Sequence, residues 1–474
     1  MSRPGEKVAV VIVYEDIDHS DTFARGDIVR RADRPSHSNA LDVRLLLAQR
    51  INTAAVTIGL LSVASGIASA QQPDTAARRD SVFKRDSIQR LAPVEVQASI
   101  APVAGPTIGS GVPARITVIT GHDVDAWEPR ILPDVLGSVA GVSIYDDLGS
   151  QFKLNMSYRG FNTGPTVGLP PGISVFLDGV RQNEADAQEV DFDLLPMEHV
   201  KRVELLSGTA SLLGPNSLGG AINLITDRGS GPLHGELELS GGAYGQAEGE
   251  ATVEGMTHDG WDYYLGGGYE REDGWREGTG GRNFDGFLNL GHFGAVRGIG
   301  IQAFGASSSS QTAGSIPESL YGNPQLNFTP GDFEHLNTQQ VNLTGYLPAL
   351  RGRGTLTTYF RRYDANRFNV NQAPDPSVSA LTTNYTLGGT ADWRRRIVLG
   401  AGALSVRFGV DGAKNWVDER ILNVPVDGEG GGTTLTTDVH SPSWDIAAYG
   451  IADYSVKRVT FSAGARYDYI RIPF

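Results

Sequence analysis

From residue 231 onward, apolar and polar side chains alternate with a period of two. Leu404, Val406, Phe408 and Val410 fall on one face of an extended chain, and Ser405, Arg407, Gly409 and Asp411 on the other. Val459, Phe461, Ala463, Ala465, Tyr467 and Tyr469 oppose Thr460, Ser462, Gly464, Arg466 and Asp468 in the same way. Leu237 and Leu239 oppose Glu236, Glu238 and Ser240, while Ala247, Gly249, Ala251 and Val253 oppose Glu248, Glu250, Thr252 and Glu254. A period of two is the signature of β-strands with unlike faces. A soluble β-sandwich alternates too, but its strands are usually shorter and its charged face meets water outside. Here runs of about ten residues carry aromatics near their ends (Trp261, Tyr263, Tyr359, Trp393, Trp444, Tyr469), which fits a membrane barrel with aromatic girdles.

The connections sharpen this expectation. The pattern predicts about eleven strands, near 234–243, 247–256, 260–270, 283–294, 298–307, 337–347, 354–364, 383–393, 403–411, 443–455 and 458–470. Connections after even-numbered strands are short, whereas those after the fifth, seventh and ninth span 306–336, 364–382 and 412–442. Short turns at one end and long loops at the other is the layout of an outer-membrane barrel, with the short side in the periplasm. Basic residues gather in the short turns (Arg297, Arg351, Arg353, Arg394, Arg395, Arg396, Arg458).

Upstream the period changes. Strands are expected at 116–119, 142–145, 155–158, 174–177, 200–206 and 221–226, with helices at 123–127 and 132–138, the second carrying proline near its first turn. These make a small mixed α/β domain, assigned to 99–230, ahead of barrel strands at 231–474. The first 43 residues are polar and fit no element, so they read as an upstream extension of a chain that truly starts at Val43 or Leu45. Residues 44–70 combine Arg44 and Arg50, a short apolar core at 54–64 and an Ala68-Ser69-Ala70 exit, the layout of a signal peptide cut before Gln71. Residues 71–90 are charged and poor in large apolar groups, and read as a linker.

Composition removes several classes. Among 474 residues there are 60 glycines and no cysteine, and the formal charge is −14. Disulfides and thiol chemistry are excluded. An acidic balance argues against nucleic acid as a partner. No HExxH sequence or nucleophile–base pairing stands out, so the chain is read as a non-enzyme with no catalytic residues, no metal ligands and no cofactor.

A set of short motifs within 157–228 carries the strongest signal. They are Arg159-Gly160-Phe161, the Asp178-Gly179 turn, the strand holding Arg202 and Glu204 and ending at Gly208, and a Gly-rich stretch with Gly214, Gly219 and Gly220 that runs into Ala-Ile-Asn. A phosphate loop needs Lys-Ser/Thr after its last glycine, which is absent. In order and spacing these motifs resemble the plug domain of TonB-dependent outer-membrane receptors. The resemblance implies a transmembrane antiparallel β-barrel with an N-terminal α/β plug. A plugged barrel of this type has about 22 strands, so the eleven seen here make it incomplete, and residues 71–474 alone would carry open strand edges. It also implies outer-membrane location, contact with outer-membrane lipid, and import of a chelated metal or other bulky small molecule, most often a ferric siderophore. A cobalamin, haem or saccharide receptor of the same family is the first alternative, and a passive porin or an adhesin the second.

Further roles follow from the resemblance. The segment Leu91, Ala92, Pro93, Val94, Glu95, Val96, Gln97 and Ala98 resembles the TonB box, an extended strand that the TonB energy-coupling protein grips from the periplasm. Where the family has Arg and Pro on either side of the glycine after the RVE strand, this chain has Ser207 and Thr209. Glu236, Glu238, Glu248 and Glu250 would point into the lumen, where Arg159, Lys201 and Arg202 of the plug could pair with them. Asp178, Asp186, Glu189, Asp191 and Asp193 form an acidic plug loop, read either as a solvated or barrel-facing loop or as a cation site. Tyr321, Phe328 and Phe333 suit a loop that grips an amphipathic ligand, or one that merely covers the barrel mouth.

Overall fold

The computed structural model describes residues 9–12, 42–46, 115–121, 129–168, 171–207, 214–371, 375–425, 432–457 and 459–471. The segment 91–98, the helix expected at 123–127, Gly208 and the predicted signal peptide beyond residue 46 lie outside these. Two short strands come first, β1 (Ala9–Ile12) and β2 (Asp42–Leu46).

The α/β domain holds β3 (Arg115–Ile119), α1 (Leu132–Leu136), β4 (Val142–Tyr145), β5 (Asn155–Tyr158), β6 (Phe161–Thr163), β7 (Ile173–Leu177), β8 (Val180–Arg181), β9 (Val200–Ser207) and β10 (Gly220–Thr226). Five strands form one sheet in the order β3-β9-β10-β7-β8, and β4-β5-β6 form a second. Only β10 and β7 run parallel within the larger sheet. Its centre is set by register: Ile222 stands between Val175 and Leu205, and Leu224 between Leu177 and Val203, all fully buried. Each such side chain contributes about 1.5–3 kcal/mol of burial. The helix α1 carries Pro133 in its first turn, where a missing N–H leaves no intrahelical bond unmade. Asp134 accepts from the backbone N–H groups of Arg130 and Ile131 at 3.1 and 3.2 Å, and Leu132, Val135 and Leu136 face the core. Asp178 and Gly179 both adopt positive φ, 48° and 84°, the geometry a two-residue hairpin between β7 and β8 requires.

The alternating region forms eleven consecutive strands: β11 (His234–Gly241), β12 (Ala247–Met256), β13 (Trp261–Glu272), β14 (Gly281–Phe293), β15 (Gly298–Gln311), β16 (Phe333–Ala349), β17 (Gly352–Asn369), β18 (Ser377–Leu399), β19 (Gly402–Val424), β20 (Thr434–Val456) and β21 (Val459–Arg471). Each pairs antiparallel with the next, and the sheet is not closed, since β21 has no neighbour beyond β20 among the described residues. At the other edge β2 pairs antiparallel with β11, and β1 lies parallel to β2. An open edge is a template for any extended segment.

The expected strands are all present, but several are longer than the hydropathy pattern indicated. β18, β19 and β20 each reach 23 residues. The connections expected at 364–382 and 412–442 shrink to 370–376 and 425–433, while 312–332 remains long. The reason is that alternation reports only the span with an apolar outward face. Beyond it Asp418, Arg420, Asp438 and His440 occupy outward positions, yet backbone pairing continues. Outward side chains such as Leu265, Phe284, Leu343 and Phe408 are exposed, whereas Asn289, Gln302, Asn342 and Thr344 on the opposite face are buried against the α/β domain. No helix among the described residues is long and apolar enough to cross a membrane, which says nothing of strands.

Candidate functional site

One acidic segment, residues 182–193, which follows the β7–β8 hairpin, makes a dense group of polar contacts with the sheet. Glu184 is paired with Arg361 of β17 and accepts from Asn384 of β18 at 3.4 Å. Asp186 accepts from the same Asn384 at 3.0 Å. Glu189 and Asp191 each lie 3.4 Å from Arg367, and Tyr363 donates to Asp191 at 2.7 Å. Asp193 meets Lys153 at 2.8 Å and Ser308 of β15 at 2.5 Å. Lys153, fully buried, also reaches Glu334 of β16 at 3.0 Å, and Glu334 lies 3.5 Å from Arg367. Five carboxylates (Glu184, Glu189, Asp191, Asp193, Glu334) thus share three cations (Lys153, Arg361, Arg367) out of water.

Burial and mutual repulsion shape the proton affinities of this cluster. Burial pushes Glu184 up to about 7 against the opposing pull of Arg361. Glu189 goes up to about 9, through burial first and then repulsion from Asp186 and Asp191. Burial also raises Asp193. For Lys153 burial acts downward, but Asp193, Glu334 and Asp191 outweigh it and hold the ammonium well above its usual range. The result is an ionic clamp with a surplus of negative charge. Such buried polar clusters fix a position firmly when satisfied and fail sharply when one member is removed.

Three smaller anchors complete the contact. His199 is fully buried, with Nε2 2.9 Å from Asp285 of β14 and Nδ1 3.1 Å from the Tyr264 hydroxyl of β13. Arg130 bridges Glu270 and Glu272 at 3.1 and 2.7 Å. Asp178, at the hairpin, accepts from Thr226 Oγ1 at 2.6 Å and from Gln302 of β15, which in turn accepts from Asn342 at 2.6 Å.

The motif residues separate into turns, packing and pairs within the domain. Arg159 and Gly160 turn the chain with φ of 52° and 85°, and the Arg159 guanidinium lies over the Tyr158 ring at 5.2 Å. Phe161 fills the space where Gly172 and Gly219 lack side chains; a Cβ on Gly219 would meet its ring at 2.4 Å. Gly214 has φ 103° and Gly220 148°, both disfavoured for a side chain. Arg202 pairs with Glu204 on its own strand at 2.9 Å, and Asn223 donates to Glu204 at 3.3 Å. Lys201 pairs with Asp227 at 3.1 Å. Ser207 is hydrogen-bonded to the Tyr158 hydroxyl at 2.5 Å.

Glu236, Glu238, Glu248 and Glu250 line an acidic cavity with Glu198, Glu254 and His234. From the domain, His199 approaches Glu250, with Nδ1 3.8 Å from its carboxylate, and Glu248 accepts from Ser240 at 3.0 Å. Among the described residues no group of three or more His, Asp or Glu side chains is arranged to hold a metal ion. In the long loop, Tyr321 is exposed at its short 3-10 turn and Phe328 is half-buried. Phe333 stacks on Phe368 of β17 at 5.8 Å and meets the tilted His335 ring at 4.6 Å, on the sheet's outer face, since its neighbour Glu334 points to Lys153.

That loop is wired to the domain. Arg276, in the connection before β14, donates to the carbonyls of Ala313, Gly314 and Leu326 at 3.3, 3.1 and 2.8 Å. Its guanidinium occupies the space above Gly149, and Ala313 N–H donates to Leu148 at 2.7 Å. Sequence reasoning missed Lys153, His199 and Arg276 because none sits in a motif. Arg361, Tyr363 and Arg367 carried a usable signal: they share one parity on β17, the lumen parity.

Residues 109–221 match the family model for the TonB-dependent receptor plug domain. The chain is 28% identical over 162 residues to the vitamin B12 transporter BtuB of Vibrio vulnificus, covering 34% of this chain and 25% of the relative. It is 32% identical over 114 residues to BtuB of Vibrio cholerae, covering 24% and 18%. In fold it is similar to the unliganded ferric citrate transporter FecA, with a TM-score of 0.66 at 16% identity, covering 75% of this chain and 56% of that one. The pyoverdine-bound FpvA of P. aeruginosa gives 0.66 at 17% identity, covering 76% and 52%. The chain therefore spans a quarter or less of the curated relatives' length, and just over half of those solved chains.

Proposed function

Starting from a chain that is a TonB-dependent receptor by its plug domain and barrel-type sheet, we propose that it carries out energy-coupled uptake of a scarce, bulky ligand across the outer membrane, with a ferric siderophore as the first ligand. The observation that carries this reading is the plug's acidic segment, held on the lumen face of the sheet by buried ion pairs, alongside an apolar cluster that runs from the plug to Tyr264, Phe287 and Phe304 of the sheet. A diffusion channel has no use for a folded stopper. Buried ion pairs hold the plug until it is pulled clear, and each charge then regains its hydration as it leaves the interior. In this reading the ligand meets the long-loop side, where 312–332 is joined to the plug through Arg276 and Leu148. The segment Leu91–Ala98 then transmits force from the TonB partner on the opposite side. Cobalamin is the second ligand, because the relatives matched by sequence are named as vitamin B12 transporters.

The test is uptake by cells that depend on this receptor gene, supplied with radiolabelled ferric siderophores or cyanocobalamin. One ligand should accumulate, and collapse of the inner-membrane proton gradient should abolish the accumulation. Accumulation that ignores the gradient would overturn the reading in favour of a passive pore.

A further inference from the structure

Arginines gather at the short-turn end of β17, β18 and β19, and strand register sets three of them side by side. Arg353 stands directly opposite Arg394, and Arg394 directly opposite Arg407. The row faces the lumen. On β17 and β18 it shares the parity of Arg361 and Asn384, which both meet Glu184 of the plug, and on β19 that of Val417, which stands opposite Asn384. Arg396, two residues beyond Arg394, continues the same face.

The charges around the row do not balance it. The adjacent layers hold Asp392 between Thr355 and Gly409, and Asp453 opposite Ser405. Four guanidiniums on this face thus stand with two carboxylates, and Asp392 already lies 3.2 Å from Arg407. Like charges directly opposite one another destabilise an antiparallel pair, and a bound anion removes that cost. Neighbouring strands lie about 4.8 Å apart, so the row spans about 10 Å. Each guanidinium is a planar fork that takes a carboxylate through two parallel N–H bonds. All three are half-buried, and Arg353 is braced by the Tyr346 ring at 4.5 Å and the Ala295 carbonyl at 2.6 Å.

The plug meets this part of the sheet one layer nearer the long loops. A Cβ on Gly214 would come within 3.3 Å of Arg466, which stands opposite Tyr449, itself opposite Gly409. A cargo moving from the long loops toward the short turns therefore reaches the row after it has passed the plug.

We propose that this arginine row is a binding site, on the exit side of the plug, for a cargo that carries carboxylate groups, such as a carboxylate chelate of iron. The inference rests on the uptake reading given above and narrows its cargo: the wall favours an anionic chelate over neutral cyanocobalamin.

The full-length receptor, extracted in mild detergent, is titrated with radiolabelled ferric citrate. Ferric citrate should bind, and cyanocobalamin at the same concentration should not displace it. Arg394→Gln should weaken binding about ten-fold. Arg396→Gln, at an exposed position, should weaken it less, and Arg394→Lys, which keeps the charge and loses the fork, should fall between parent and Arg394→Gln. Binding to intact cells reads only the outer side and should be the same in every variant. Heat-modifiable gel migration confirms that each variant is folded. No binding by the parent, unchanged affinity in the folded glutamine variants, or an equal loss on intact cells overturns the proposal and leaves the uptake reading intact. Complete displacement by equimolar inorganic phosphate shows an adventitious ion only and also overturns it. Accumulation that ignores the proton gradient overturns the uptake reading instead, while the comparison of parent with Arg394→Gln still decides the row.

Discussion

Lys153 shows how much a single side chain holds in this molecule. It is fully buried with Asp191, Asp193 and Glu334 around it. Removing one partner of a buried ion cluster strands the others without compensation, at a cost of about 3–5 kcal/mol. Lys153→Met should therefore lower the unfolding free energy of the purified receptor, read from urea titration, by that order; a change within about 1 kcal/mol would show that the cluster adds nothing. Gly219 poses a steric question instead. A methyl there meets the Phe161 ring, and overpacking of this kind costs about 1–3 kcal/mol. Adding Phe161→Ala to Gly219→Ala should recover part of that loss, and strictly additive effects in the double-mutant cycle would disprove the contact.

At the scale of the element, the acidic segment 182–193 behaves as one titrating unit. Glu184 and Glu189 are both raised above the ordinary carboxylate value, to about 7 and about 9. A raised carboxylate means the docked state binds protons more tightly than the undocked one. Its stabilisation is complete below the ordinary value of 4.5 and fades as pH rises through the shifted values. Hydrogen exchange of this segment should accordingly quicken between about pH 5 and pH 9, beyond the intrinsic base catalysis of exchange. Glu189→Gln should flatten the upper half of that dependence, and a profile identical to the parent's would exclude Glu189 as its source. Strand length is the element-scale feature the sequence under-reported. Hydropathy stops alternating where β18, β19 and β20 leave the apolar belt, but hydrogen-bond pairing does not.

For the whole molecule, the proposed uptake would require that ligand binding on one side and force on the other meet in the plug. If Leu91–Ala98 adds as a strand to an edge of the TonB partner, shape matters more than side-chain chemistry. Proline fixes φ and removes an N–H, so Val96→Pro should abolish uptake while ligand binding at the cell surface persists, and Val94→Ile should be nearly silent. Uptake at the unmodified level would remove the coupling role. Loss of binding as well would assign the segment to the plug's own structure. Comparing Val96→Pro with Lys153→Met separates coupling from docking, since only the second should change hydrogen exchange across 182–193.

Local chemistry determined the period-two run, the order of the eleven strands, the parity that sorts lumen from outer face, and the glycines and Asp178-Gly179 that form turns. These depend on neighbours a few residues apart, and a sequence states them directly. The tertiary structure alone decided which charge meets which. From sequence, Glu236, Glu238, Glu248 and Glu250 were paired with Arg159, Lys201 and Arg202, yet Arg202 turns to Glu204 and Lys201 to Asp227, while Lys153, Arg361 and Arg367 gather the acidic segment. Arg361 and Glu184 are separated by 177 positions along the chain. A carboxylate pairs with whatever cation packing brings within about 4 Å, and no local pattern encodes that distance. Phe161 and Gly219 make the same point in steric terms: each is an ordinary residue until the fold sets one against the other.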